Sequence, residues 1–356
     1  MGTEPKKTNL LALGRDGLKN YLAGLGMKAF RADQVARWIY AEGMTSFEGM
    51  TNLSKADREM LADVAEIRPP ELAGRLTSAD GTEKYLFGME DGERVESVLI
   101  PGEDRTTLCI SSQAGCALGC RFCLTGAGGF QRDLLPHEIT GQVFMARALA
   151  APRELTNIVM MGTGEPLLNR DNVFEALRRL TDPGMFSIST RRITLSTAGV
   201  VPGIKALGDS GLGIGPAVSL NASNDAVRDE VMPINRKYPI LKLMAALREF
   251  PLAPRRRVTI EYVMLAGVND SLADARALGK LLRGLKCKVN LIPFNEHAGS
   301  KYRRPSHDAV NDFKDTLADM GYAAFIRDSR GSDILAACGQ LRAEAAGVAC
   351  PHDGQK

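Results

Sequence analysis

The chain has 356 residues, 44% of them hydrophobic and 24% charged, with a formal net charge of +3. Such a chain can bury one large core and a small accessory unit, and because no apolar run approaches the ~20 residues of a membrane span, no membrane partner is expected. The charge is too small for a protein that coats nucleic acid by bulk positive potential, so contact with phosphates has to come from local clusters.

The opening segment, MGTEPKKTNLLALGRDG, lacks a continuous apolar stretch of the secretory type, which predicts a cytoplasmic protein. Residues 14–75 read as a small helical unit. Within it Val35, Trp38 and Ile39 share one face at helical spacing, which makes Trp38 a core candidate. Ser54-Lys-Ala-Asp57 has the pattern of a capped helix start. Residues 84–89 and 94–100 flank Glu90-Asp-Gly-Glu93, which predicts a hairpin with a tight Asp-Gly turn.

From about residue 105, short β-rich runs alternate with longer helical segments: 106–111, 157–161, 192–195, 217–220, 258–264 and 288–293. That alternation predicts βα units around a parallel sheet, an α/β architecture closing toward a partial (βα)6 barrel. The expected divisions are an N-terminal helical domain at 1–80, a connecting β-hairpin at 81–101, the barrel at 102–335 and a C-terminal segment at 336–356. Most runs end in polar or glycine-rich signatures, among them Gly162-Thr-Gly-Glu165 and Ser219-Leu-Asn221, at the strand ends where barrel enzymes keep their chemistry.

Seven cysteines, an odd number with three crowded together, do not form a disulfide framework. Cys116, Cys120 and Cys123 make a CxxxCxxC array after the first β run. Three thiolates can hold one iron–sulfur cluster and leave one iron of a 4Fe-4S cube without a protein ligand. A structural zinc site would need a fourth ligand, and the nearest candidate, His137, lies beyond a glycine-rich stretch. In Gly162-Thr-Gly164-Glu165-Pro166 the glycines let the backbone approach a ligand and Glu165 can pair with an ammonium group.

The CxxxCxxC array, with Phe122 before its last cysteine, resembles the signature of the radical S-adenosylmethionine (SAM) superfamily. Five further segments narrow the resemblance: Cys109-Ile-Ser-Ser-Gln, Arg192-Ile-Thr-Leu-Ser-Thr197, Val231-Met-Pro-Ile-Asn235, Asn290-Leu-Ile-Pro-Phe-Asn295 and Ala336-Ala-Cys338-Gly-Gln-Leu341. With the glycine-rich motif they are similar to the RlmN/Cfr adenine methyltransferases over most of the chain. The resemblance implies a 4Fe-4S cluster on Cys116, Cys120 and Cys123 whose open iron chelates SAM. It further implies SAM contacts from Gly164, Glu165, Ser196, Ser219, Leu220, Asn221 and Asn295, although serines and asparagines at strand ends are also ordinary turn residues.

The family's chemistry follows from its substrate, an aromatic carbon too electron-poor to attack SAM directly. One SAM methylates a cysteine, and a second is split to a 5′-deoxyadenosyl radical that takes a hydrogen from the S-methyl group, whose carbon then adds to adenine. By position the methyl carrier is Cys338, the thiol that resolves the adduct as a disulfide is Cys109, and the proton acceptor is Glu96. Without the resemblance, Glu96 would read as a surface strand residue and the two cysteines as small buried ones. Cys287 and Cys350 match no motif and read as a strand residue and a tail residue.

The implied partners are 23S ribosomal RNA, transfer RNA and a low-potential electron donor such as flavodoxin or ferredoxin, with the enzyme a monomer. Basic residues including Arg191, Arg192, Lys288, Lys301 and Arg327 are candidates to meet RNA, and the N-terminal domain is the candidate reader of RNA shape. Pro166 and the Ser329-Arg-Gly-Ser332 segment favour methylation of adenine carbon 2 over carbon 8. Thr163, Asn221 and Leu335 depart from the family's usual methionine, histidine and aspartate. A non-catalytic metal-binding RNA module and an activase for a glycyl-radical enzyme are the competing readings; neither needs paired thiols at Cys109 and Cys338.

Overall fold

A computed structural model describes residues 6–341 and has a ten-stranded mixed sheet as its frame. Its strands are β1 Glu71–Thr77, β2 Glu83–Gly88, β3 Arg94–Pro101, β4 Thr106–Cys109, β5 Asn157–Met160, β6 Ile193–Thr197, β7 Gly215–Ser219, β8 Val258–Met264, β9 Cys287–Pro293 and β10 Ala324–Ile326. Neighbours in the sheet are neighbours in sequence throughout. The strands β4 to β10 run parallel, whereas β1 to β4 pair antiparallel. A parallel sheet that always adds its next strand on the same side winds toward a barrel, and the helices between strands cover its outer face.

The register separates two chemistries by parity. Leu108, Ile158, Leu195, Val218, Ile260 and Leu291 face the helices and lie in the main core. Side chains one residue over, including Cys109, Ser196, Ser219, Glu261 and Asn290, face the barrel interior. Because successive strand residues point to opposite faces, a one-residue slip would bury the polar set in the helix layer, so the register is strongly specified.

All six expected β runs are present. Within this sheet two elements exceed the expectation. The hairpin is a three-stranded meander, since β1 pairs with β2 inside the segment read as helical; β1 is an edge strand, mostly exposed and with a register shift between Leu72 and Gly74, so it lacks the apolar alternation that marks a strand in sequence. The second is β10, three residues long, which pairs parallel to β9.

The N-terminal unit contains helices at Arg15–Gly24, Phe30–Tyr40 and Lys55–Val64. Ser54 caps the third by accepting from the Asp57 N–H, as its pattern predicts. Val35 and Ile39 are buried, whereas Trp38 is half-buried and donates its indole N–H to Asn52. Arg179 fixes this unit to the barrel by donating to the carbonyls of Leu11 and Ala12. Among the described residues, no helix is long and apolar enough to cross a membrane. Cys350 lies outside the described residues.

Candidate active site

At the C-terminal ends of the parallel strands lies a cavity of about 160 Å³, and its lining brings together most of the sequence-derived candidates. Cys116, Cys120 and Cys123 border it, as do Gly164, Glu165, Ser196, Ser219, Asn295 and Cys338. His137 does not line it.

The cysteine loop is shaped by backbone constraints. Gly115 has φ +76°, and a Cβ there would meet the Gly129 carbonyl oxygen at 2.1 Å, so only glycine fits beside Cys116. The Cys116 N–H donates to that same carbonyl, and Arg121 N–H donates to the Val231 carbonyl, which joins the loop to the Val231–Asn235 motif. Burial pushes the Cys116 thiol up to about 11, with the negative charges of Cys123 and Glu165 adding. The Cys120 thiol is raised for the same reasons, burial first and then Cys123 and Cys116. Two thiols held neutral by burial, Cys116 and Cys120, are stabilised as thiolates by a metal centre, and Cys123 borders the same cavity as a third sulfur donor. The donor set therefore fits an iron–sulfur cluster.

Glu165 is 3% exposed. Its two carboxylate oxygens accept the N–H groups of Ala198 at 2.7 Å and Leu167 at 3.1 Å, and its own N–H donates to Gln113. Burial outweighs these hydrogen bonds and lifts the carboxyl to about 7. A ligand ammonium would favour the ionised form. The turn before it requires Gly164, with φ +105° and a Cβ position 2.6 Å from the Gln113 side chain. The backbone thus comes within reach of the cavity.

Leu220 and Asn221 are fully buried and do not line the cavity. Asn221 adopts φ +57°, which asparagine tolerates better than most residues, and joins β7 to β8 by accepting the Val263 N–H. Leu220 N–H donates to the Glu261 carbonyl. Both serve here as strand-end structure. Asn295 has a second task besides lining the cavity: its Nδ2 donates to the Cys338 carbonyl and its Oδ1 accepts from Ser329.

Cys338 is exposed and Cys109 is buried behind it. Cys109 packs with Val98, Ala336 and Leu341, so the segment carrying Cys338 covers it. Burial and the nearby Cys338 charge push the Cys109 thiol up to about 12. Although Cys338 as a residue is exposed, burial raises its thiol to about 11, with the carboxylate of Glu261 adding. Glu96, two residues before Val98 on the same face, is buried and pairs with Lys84 at 2.9 Å. It lies outside the cavity lining.

One residue that organises the site is invisible in the motifs. Arg228, 0% exposed, donates to the carbonyls of Ala198, Ser219 and Leu220 and to Asn235, clamping the ends of β6 and β7 to the Val231–Asn235 segment. Burial lowers its guanidinium to about 10, with Cys120, Asp225 and Asp229 opposing. In sequence it reads as one more arginine on a charged helix; only its depth, with four acceptors around it, distinguishes it.

Residues 8–67 match the model of the ribosomal RNA large subunit methyltransferase N-terminal domain, and residues 110–278 match that of the radical SAM superfamily. The chain is 52% identical over 325 residues to the dual-specificity RNA methyltransferase RlmN of Geotalea uraniireducens, covering 91% of this chain and 94% of the relative. The corresponding protein of Marinobacter nauticus is 48% identical over 343 residues, 94% of this chain and 93% of the relative. A crystal structure of a radical SAM methyltransferase from Sphaerobacter thermophilus superposes with a TM-score of 0.90 at 44% identity, covering 95% of this chain and all of that one. The chain therefore belongs to the RlmN family of radical SAM RNA methyltransferases.

Proposed function

We propose that this enzyme methylates carbon 2 of an adenine in the peptidyl-transferase centre of 23S ribosomal RNA and of the adenine 3′ to the anticodon in transfer RNA, through a methyl group carried on Cys338. The single observation that carries this reading is the convergence of the three cluster cysteines, Glu165, Ser196, Ser219, Asn295 and Cys338 on one cavity, with Cys109 packed against Ala336 and Leu341 on either side of Cys338 in the chain.

Cys116, Cys120 and Cys123 hold the 4Fe-4S cluster, and Gly164, Glu165, Ser196, Ser219 and Asn295 receive SAM, with Leu220 and Asn221 supporting them from the core. The cluster, when bound, supplies the electron that cleaves SAM homolytically. The Cys338 sulfur accepts a methyl group from one SAM and loses its thiol proton. A hydrogen atom leaves that S-methyl group to the radical made from the second SAM, the resulting methylene carbon bonds to adenine carbon 2, and the adduct, which keeps the unpaired electron, gives up one electron to the oxidised electron carrier, leaving base and Cys338 joined. Glu96 then takes the proton from adenine carbon 2. The Cys109 thiolate attacks the Cys338 sulfur, so the carbon–sulfur bond breaks as the disulfide forms, the electron pair left on the methylene carbon takes a proton to complete the methyl group, and an external dithiol reduces that disulfide by two electrons.

Flavodoxin or ferredoxin supplies the single electrons, and the enzyme works as a cytoplasmic monomer on structured RNA whose target base is flipped into the cavity. The reading is tested by incubating the anaerobically reconstituted enzyme with RNA, SAM and a low-potential reductant and mapping the product by mass. The expected product is 2-methyladenosine at one ribosomal and one transfer RNA position; 8-methyladenosine, or no methylation, contradicts it.

A further inference from the structure

The segment that bears Cys338 is fastened at two separate places. Beyond the cysteine, Leu124 N–H donates to the Gly339 carbonyl at 2.7 Å, and Gln340 donates to the Glu296 carbonyl at 2.9 Å. Those contacts belong to the barrel mouth. Before the cysteine the partners come from the turn between β1 and β2, an element with no place in the cavity lining.

That turn and the segment hold each other reciprocally. Asp80 accepts the Gly331 N–H at 3.1 Å while also accepting the Thr82 N–H at 2.9 Å. In return Asp333 accepts the Ser78 hydroxyl at 2.6 Å and the Ala79 N–H at 3.2 Å. Gly331 takes φ +63° and presses on Thr82, where a Cβ would come within 2.9 Å. Burial works against ionisation of Asp80, but hydrogen bonds from Thr82, Gly331 and Ser78 prevail and hold its carboxyl down at about 2. Two residues past Asp333, the Leu335 backbone sits in the left-handed region at φ +52°, and its carbonyl accepts from Lys84, the amine that pairs with Glu96.

We infer that Asp80 and Asp333 are positioning residues for methyl transfer: their clasp fixes the root of the carrier segment, so that the Cys338 sulfur stands at a set distance from the SAM site. The inference rests on the carrier reading of Cys338. Hydrogen transfer from an S-methyl group is sensitive to sub-ångström placement, and a displacement of ~1 Å can cost on the order of 100-fold in such a step. Asp80 and Asp333 lie outside the cavity lining, so the groups that bind and cleave SAM do not touch the clasp itself. Loosening the clasp therefore separates the two events: SAM is still consumed, and fewer cleavages end in a methylated base. Asp333 is exposed, so its replacement leaves the core intact.

The experiment uses the full-length, anaerobically reconstituted enzyme and three variants, Asp333→Ala, Asp333→Asn and Asp80→Asn. Two quantities are measured: 5′-deoxyadenosine formed per methylated adenine, and hydrogen–deuterium exchange over residues 333–341 in the absence of reductant. Asp333→Ala is expected to raise the first ratio by about tenfold or more and to speed exchange across the segment, with iron content unchanged. Asp333→Asn is expected to recover most of the coupling, because its carbonyl can accept the Ala79 N–H while the Ser78 hydroxyl accepts from its amide. Asp80→Asn, which must give up one of two backbone N–H partners, is expected to fall between them. Unchanged exchange in Asp333→Ala overturns the clasp, and faster exchange with an unchanged ratio overturns its role in positioning. Intact mass of the wild-type enzyme separates the two readings: absence of S-methyl on Cys338 defeats the carrier assignment, whereas the exchange measurement reads the clasp directly.

Discussion

The parallel and antiparallel halves of the sheet contribute to the site in different ways. The parallel strands deliver side chains to the cavity from their C-terminal ends, each turn shaped by local constraints such as the positive φ of Gly164 and the buried guanidinium of Arg228. The antiparallel strands deliver almost nothing to the cavity, yet they floor the segment that carries Cys338, through Val98, Lys84 and the turn at Ser78–Thr82. A barrel mouth suffices to bind a cofactor. Presenting a covalent carrier to that cofactor, the role proposed for Cys338, requires a second surface, and the sheet extension packs under that segment.

Breaking the parallel half should have the largest effect. Replacing any of Cys116, Cys120 or Cys123 by Ala is expected to abolish cluster binding, with iron at background and no 5′-deoxyadenosine formed, because two thiolates cannot hold a cube with an open iron. Normal iron content in such a variant would contradict the ligand assignment. Cys338→Ala sharpens the contrast, since it should keep the cluster and SAM cleavage while RNA methylation becomes undetectable by mass spectrometry.

Smaller, structural losses test how each half is built. Arg228→Met is expected to destabilise the cluster-free protein by about 3–5 kcal/mol in denaturant unfolding, since four acceptors lose their donor in a buried setting. Gly164→Ala should cost about 2–3 kcal/mol, because the new Cβ meets Gln113 at 2.6 Å on a backbone that disfavours L side chains. A loss under about 0.5 kcal/mol for either, the range of an ordinary surface substitution, would remove it from the scaffold of the site.

Much of this was legible in the sequence, for reasons that differ between the halves. The cluster loop and the Gly162–Glu165 turn are local: a few adjacent residues fix both backbone and chemistry, so motif reading reached them. The parallel strands are likewise written as β-rich runs separated by longer helical segments, whereas the parity of their side chains becomes visible only in the register. What escaped depends on distant partners. Strand β1 is an exposed edge recognisable only by its pairing with β2, and β10 is three residues whose strand character comes from β9. Arg228 and the Asp80–Asp333 clasp join residues far apart in the chain, so no window along the sequence contains both sides. Asn221, expected at the SAM site, also joins β7 to β8 by accepting the Val263 N–H, a bond whose two ends lie 42 residues apart.

The resolving pair proposed for Cys109 and Cys338 lies across the junction of the two halves, and a denaturing gel of Cys109→Ala purified from cells tests it. Carrier loading, radical formation and addition to adenine precede any need for Cys109, so only release should fail. The account predicts an RNase-sensitive upward shift that vanishes in Cys109→Ala/Cys338→Ala. In wild-type enzyme the same chemistry implies that release accelerates with pH, since burial holds the Cys109 thiol above its usual range and its thiolate fraction grows as pH rises. A Cys109→Ala enzyme that turns over freely, or that forms an adduct independent of Cys338, would contradict the account and leave Cys109 as a buried strand cysteine.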